Sequence, residues 1–367
     1  MTKTGSIAIR SNSRQTPMAA RSKSRATHRP RGRATAPAIN PAPESDGDLR
    51  TGSSAPSELA RTLEAGIGVE VRRLRKSLDL TVAELGLAAG ISAGMLATMC
   101  DRGPDSAGFA VYGAETRGRL KVTVRMPEDV AVADLLARLS TANGAPLPHV
   151  ARDTHLVLSV AQERAAAVCT ELGEMPSIGI VSTGRRMETY KEVGRPDRVA
   201  ERFGLPRMAG THGIGHTRMA TESAVTTDGA HPFTTGADQC LVHNGSLSNH
   251  NAVRRELVRH GLTFRTENDT EVAAGFITWK MQSGASLAEA MNATLESLDG
   301  FYTFVVGTEA GFSVLRDPIA CKPAVMAETG RWVAFGTEYR ALVDLPGVES
   351  AKVWEPEPAK VYVWERQ

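Results

Sequence analysis

The sequence predicts an α+β fold. Two observations carry that prediction: from residue 102 onward the chain breaks into many short β-like runs separated by glycine-rich turns, and helical periods are grouped between those runs. The β-like runs are 109–112, 121–124, 155–160, 213–216, 240–243, 301–306, 312–315 and 332–335, each rich in β-branched or aromatic residues. The helical periods fit 130–139, 162–172, 250–260, 270–282 and 287–298. A smaller, all-helical segment precedes this region. With 367 residues the chain is long enough for one large or two modest domains with real cores.

The first stretch of the chain reads differently. Between Met1 and Pro43 there are nine Lys or Arg and no acidic residue, so a segment of +9 precedes a body of −7. That segment is rich in Ser, Ala, Thr and Pro and poor in large apolar residues. It is expected to be a disordered basic tail over 1–57, because it cannot bury enough surface to offset its ordering entropy. Attraction to nucleic acid through its arginines is conceivable on charge alone, but a solvated tail or a misplaced start codon explains it equally simply. No apolar run approaches the ~20 residues needed to span a bilayer, and no signal-peptide core opens the chain. A soluble, cytoplasmic protein is the expectation. Cys100, Cys169, Cys240 and Cys321 form no CxxC pair, which argues against a disulfide framework and a structural zinc site.

Residues 58–98 carry a helical period through Leu59, Leu63, Ile67, Val71 and Leu74. Thr81 with Glu84 three residues on makes a capping box for a second helix, Gly90 supplies a turn, and Ser92 caps a third helix over Met95, Leu96 and Met99. Leu85, Ala88, Gly90 and Leu96 stand at the packing and turn positions of bacterial XRE/Cro-type regulators, which this segment resembles over their first three helices. The resemblance implies a recognition helix with Ser92 and Ala93 towards DNA. It stops at Cys100, before the helices that would close the five-helix core. A truncated helical remnant packed on the next domain is the competing reading, and Gly94, Met95 and Leu96 also suit a first helix of that domain, as a gene fusion would leave them.

From residue 99 to the end, motifs follow one another in a fixed order. They are Arg102-Gly103-Pro104-Asp105-Ser106-Ala107-Gly108, Gly215-His216-Thr217-Arg218-Met219-Ala220-Thr221, His243-Asn244-Gly245-Ser246-Leu247 and Asn268-Asp269-Thr270-Glu271. Further along come Leu298-Asp299-Gly300-Phe301-Tyr302-Thr303-Phe304, Leu315-Arg316-Asp317-Pro318 and Phe335-Gly336-Thr337-Glu338. Any one of these is weak: an Asn-Gly pair alone is most often a hairpin. In order, across 99–367, they resemble the class II glutamine amidotransferases, and in particular the stand-alone subunits of glutamate synthase-like and N-methylglutamate synthase systems. The resemblance implies a four-layer αββα sandwich of the N-terminal-nucleophile hydrolase type. It also implies glutamine as substrate, no cofactor or metal, and a synthase partner that receives ammonia.

Glutamine has an α-carboxylate, an α-ammonium and a side-chain amide, and the matched residues suit each group. Arg218 can fork onto the carboxylate, Asp269 can pair with the ammonium, and Asn244 with the Gly245 backbone N–H can donate to the oxyanion formed when the amide is attacked. Arg102 and Asp105 are expected to brace the site. His212 and His216 stand four residues apart on one run, ~13 Å along a strand, too far to share an ion. His231 and His243 read as hydrogen-bonded structural histidines.

The family's nucleophile is a cysteine at the mature N-terminus, at the head of the first strand. No cysteine precedes Cys100, and Cys100 lies beside the 102–108 turn, beyond the expected first strand and helix. It would need proteolysis to serve. Removal of Met1 would expose Thr2, which the expected tail separates from the site. Two functions follow: an amidotransferase subunit impaired by the missing cysteine, or a silent glutamine-binding domain joined to a DNA-binding module. Loss of the first strand would also leave an unpaired sheet edge.

Overall fold

The computed structural model describes residues 5–11, 91–220 and 224–365, with residues 5–11, 91 and 92 as backbone only. Strands are numbered in chain order. A seven-stranded sheet runs β15 (Lys352–Trp354), β13 (Val325–Glu328), β14 (Trp332–Gly336), β1 (Gly5–Ser11), β8 (His212–Arg218), β2 (Ser106–Tyr112) and β7 (Met187–Val193). A five-stranded sheet runs β16 (Tyr362–Glu365), β12 (Gly311–Arg316), β11 (Gly300–Thr308), β10 (Gln239–Leu247) and β9 (Phe233–Gly236). Every strand pair in both sheets is antiparallel.

The two sheets stack face to face. Tyr112 and Ile214 of one meet Val242, Val305, Phe312 and Trp364 of the other in a shared apolar core. Helices α1 (Ile91–Thr98) and α4 (Pro196–Phe203) cover the outer face of the first sheet, packing Met95, Leu96, Val199 and Phe203 against Phe109 and Tyr190. Helices α5 (His250–Arg259), α6 (Asp269–Gln282) and α7 (Leu287–Ser297) cover the second, with Val272, Ile277 and Met291 against Tyr302 and Phe304. The layers are therefore helix, sheet, sheet, helix. Coverage on both faces explains why β2 and β14 are buried at every residue and read as continuous apolar runs.

A separate lobe grows between β2 and β7. Its four-stranded sheet runs β4 (His149–Arg152), β5 (His155–Ala161), β3 (Arg119–Arg125) and β6 (Gly179–Gly184), and is packed on α2 (Val132–Asn143) and α3 (Ala165–Gly173).

The helix over Met95, Leu96 and Met99 exists, with those side chains 0–2% exposed against the first sheet and Ala93 packed on the same cluster. Residues 58–90 of the expected helix-turn-helix lie outside the described residues. The sheet gap is also filled. Gly5–Ser11, within the stretch expected to be disordered, forms β1 between β14 and β8, in register from Ile7↔Gly336 and Gly5↔Thr217. Its Ile7-Ala8-Ile9 run supplies the β propensity, which the surrounding basic composition hid.

Candidate functional site

Arg218 closes β8 and is 6% exposed. The turn at 102–105 lies directly on its backbone. The Asp105 amide donates to the Arg218 carbonyl oxygen at 3.1 Å, Pro104 bridges to Arg218, and a Cβ on Gly103 would collide with the Arg218 nitrogen. Only glycine permits that approach. The Asp105 carboxylate accepts from the Ala220 amide at 2.8 Å, fixing the chain as it leaves β8. Arg102 is ion-paired with Glu338. Asp105 thus fixes the backbone around Arg218, and Arg102 ties the same turn to the segment after β14. Burial lowers the Arg218 pKa from its ordinary value, and the charges of Asp105 and Asp269 partly restore it. Asp269, distant in sequence, is thus brought within electrostatic reach of Arg218.

Asn244 and Gly245 lie on β10, opposite Thr303 and Tyr302 of β11. Gly245 has φ +152, and a Cβ there would strike the Phe301 carbonyl oxygen and sit 2.7 Å from Tyr302 Cα and 2.9 Å from His243 Nε2. The backbone N–H proposed for the oxyanion therefore belongs to a position that no other residue type fits. Asp269 is the first residue of α6, where the positive end of the helix dipole favours a carboxylate; Asn268 caps that helix by accepting from the Thr270 amide at 2.9 Å. The Asp269 carboxylate accepts from the Leu247 amide at 3.0 Å, which ties it to the strand that carries Asn244 and Gly245. Burial alone would raise its pKa; the charge and hydrogen bond of His243, 3.6 Å away, with the Leu247 bond, outweigh burial and hold it below the ordinary carboxylate value.

Beneath these groups lies a buried histidine cluster. His216 Nε2 donates to the His243 carbonyl oxygen at 3.0 Å, and its ring stacks on His231 at 4.1 Å between centroids. His231 Nε2 and His243 Nδ1 meet Thr270 Oγ1 at 2.8 and 3.0 Å, and Thr270 donates to Asp269 at 3.3 Å. One assignment satisfies every bond: both rings donate to the threonine oxygen and its single proton goes to Asp269. Burial keeps His216 neutral, with its pKa lowered to about 3, and depresses His231 as well. The sequence reading of His231 and His243 as hydrogen-bonded agrees with these contacts. No group of three or more metal-ligating side chains with suitable geometry occurs among the described residues.

The structure thus brings Arg218, Asp269, Asn244 and Gly245 to one end of the facing sheets. It leaves Ser92 and Ala93 on the outer helical layer. Thr270 and Lys191, which organise the surroundings, escaped the sequence reading. Thr270 sits inside the Asn268-to-Glu271 motif and could have been weighed there, whereas Lys191 carries no motif. The cysteines stand apart. Cys100 contacts Asp197 and the Leu96 carbonyl on the outer helical layer, with its pKa raised, first of all by burial. Cys240 is buried against Tyr112, Cys169 lies in α3 and Cys321 is exposed.

A buried arginine, a helix-start carboxylate and a glycine-dependent Asn-Gly turn on two sheets stacked between helices suit a glutamine amidotransferase domain. Comparison with known proteins agrees: the family model described as "Glutamine amidotransferase domain" matches residues 216–344. Glutamine amidotransferase-like protein GlxB of Rhizobium meliloti (strain 1021) is 58% identical over 275 residues, covering 74% of this chain and 91% of that protein. The chain belongs to the glutamine amidotransferase family. Glutamine--fructose-6-phosphate aminotransferase [isomerizing] of Vibrio cholerae is 34% identical over 129 residues, which is 35% of this chain and 21% of that protein. Among solved structures, glutamine phosphoribosylpyrophosphate amidotransferase from B. subtilis aligns at 20% identity with a TM-score of 0.43, over 70% of this chain and 47% of that one. The chain thus spans about half of that enzyme's length, and so loose a likeness adds nothing to the strand register above.

Proposed function

We propose that this protein binds L-glutamine, with Arg218 on the α-carboxylate, Asp269 on the α-ammonium and the Asn244–Gly245 turn facing the side-chain amide. Its hydrolytic step is impaired because β1, the strand beside Arg218, carries no cysteine. Ammonia released from the amide passes, in this reading, to a synthase subunit. The observation that carries the proposal is that Arg218 of β8 lies within reach of the charge of Asp269 of α6, while Asp269 is hydrogen-bonded to the strand that carries the glycine-dependent turn. A cation and an anion held at fixed separation beside backbone donors select an amino acid with a polarisable amide. A DNA-binding reading has no comparable support, since the helix that would read bases is packed into the body.

Calorimetric titration of the full chain with L-glutamine, run beside a glutamate-release assay, tests this directly. Saturable binding that Arg218→Ala weakens by about a hundredfold, with release far slower than binding and unchanged by Cys100→Ala, is the expected result. A folded protein that takes up no glutamine would refute the pocket assignment. Release that depends on Cys100 would replace impaired hydrolysis with a maturation mechanism.

A further inference from the structure

Lys191, on β7, is 8% exposed and has no role in the chemistry above. Its ammonium donates to the Asp228 carbonyl oxygen at 2.9 Å and the Ala230 carbonyl oxygen at 3.0 Å, and lies 4.7 Å from the centre of the Phe233 ring. The next residue, Glu192, accepts from the Thr227 hydroxyl. Two adjacent residues of one strand therefore staple the same segment, residues 224–232, which crosses from β8 towards β9. Within that strap the Gly229 amide donates to Thr226 Oγ1 at 3.1 Å and the Ala230 amide to the Thr227 carbonyl oxygen at 3.1 Å. Gly229 itself lies against the Arg218 guanidinium: a Cβ there would be 3.5 Å from Nη1. The strap also delivers His231 to the stack with His216 and the bond to Thr270.

A buried ammonium between two carbonyls is costly unless those bonds matter to the fold or the ligand. Gly108 makes room for it, because a Cβ there would fall 2.6 Å from the Lys191 Cβ and strike the His231 carbonyl oxygen. We propose that Lys191 is a positioning residue for the ligand carboxylate, holding the 224–232 strap from inside so that Gly229 packs on the Arg218 guanidinium and fixes where it points. This deepens the glutamine reading and rests on it. The groups whose charges act on Lys191 are Asp228 of the strap, Glu271 of α6, Arg265 just before that helix, and Arg125 of β3; His231 and His155 feel its charge in turn. Burial outweighs the two carboxylates and lowers the lysine pKa to about 8. The charged form is thus present at pH 7 and is lost as pH rises through about 8, weakening its charge-assisted bonds and its attraction to the Phe233 ring.

The test measures L-glutamine affinity of the full chain from pH 6.5 to 9.5 for the wild type, Lys191→Met and Lys191→Arg, with amide exchange followed over residues 224–232. Expected at pH 7 are about a tenfold loss of affinity in K191M and faster exchange at Gly229 and Ala230. K191R is expected to keep most of the affinity. Across pH, the wild type should weaken through about 8 more steeply than K191M, whose slope reports the ligand's own amine alone. Wild-type affinity in K191M with an unchanged pH slope would overturn the proposal, as would unchanged exchange in the strap. A wild type that binds no glutamine, yet shows the exchange difference, would instead sink the glutamine reading and leave Lys191 as a strap fastener only.

Discussion

The side lobe and the two-sheet body bury different things. The lobe's interior is a cluster of aliphatic residues, with Val122, Val124, Leu139, Leu156, Leu158 and Leu172 filling the space between its sheet and its two helices. The body has equally apolar layers, but at one end it also buries Arg218, Lys191, Asn244, Thr270 and three histidines. Such groups cost free energy unless they are bonded or wait for a ligand. The lobe's burial is that of a packed core, and the body end is where the proposed glutamine site lies. Substitutions in the two regions should therefore separate stability from ligand affinity.

The sharpest attempt to break that contrast is Gly245→Ala. Its Cβ meets the Phe301 carbonyl and Tyr302 Cα at a positive φ, so the β10–β11 register must shift. Glutamine binding is expected to vanish and the melting temperature to fall, with a cost of about 3 kcal/mol or more. An alanine variant that melts and binds like the wild type would end the claim that this turn is glycine-dependent. Next comes Arg218→Ala. Glutamine affinity should drop by about 3 kcal/mol while thermal stability changes much less, because the burial cost of the guanidinium is removed together with its attraction to Asp105 and Asp269. Leu158→Ala in the lobe should do the reverse, destabilising by about 2–5 kcal/mol with glutamine affinity within about twofold of wild type at temperatures where the chain stays folded. Equal damage to binding from the lobe variant would show that the two regions are mechanically one.

Acid supplies a subtler version. The Asp269 carboxyl is held below its ordinary pKa, so its stabilising contribution is complete above the unfolded value near 4 and is lost as pH falls through the lower, folded value. Urea midpoints measured from pH 5 downward should decline less steeply in Asp269→Asn than in wild type. The smallest effect expected is at a helix start far from the pocket. Ser286 and Glu289 form a reciprocal capping box on α7. Ser286→Ala should cost about 1 kcal/mol and leave glutamine affinity untouched.

Much of this contrast was legible in the sequence. The residues of the proposed site each stand in a short motif whose neighbours have backbone duties: Gly103 against Arg218, Asn268 capping the helix that begins with Asp269, Gly245 against Phe301. The long helices at 250–260, 270–282 and 287–298 were periodic enough to place within a residue or two. The strands β1, β4, β6, β7, β9, β13, β15 and β16 were not read. Several are short, and Met187–Val193 carries Glu188, Lys191 and Glu192, charges that disguise a buried strand because their partners lie elsewhere in the chain. Lys191 was invisible for the same reason: nothing local distinguishes a lysine that will point at two carbonyls some forty residues away. The helix at 91–98 was ambiguous in the opposite sense: its apolar spacing suits either of two folds, and the sequence reading carried both.

β1 has a consequence for the order in which this protein can take shape. It is made before both its neighbours, His212–Arg218 and Trp332–Gly336, which lie far downstream of it. On one side of it stand β14, β13 and β15, on the other β8, β2 and β7. Until the ribosome has passed residue 336, the central strand of the larger sheet has only one possible neighbour, and the two halves it joins cannot meet. Pairing across so long a loop is slow to close. The nascent chain must therefore carry an unpaired apolar strand through most of its synthesis, and the β8 edge next to Arg218 is exposed to a wrong partner for as long as β1 is elsewhere.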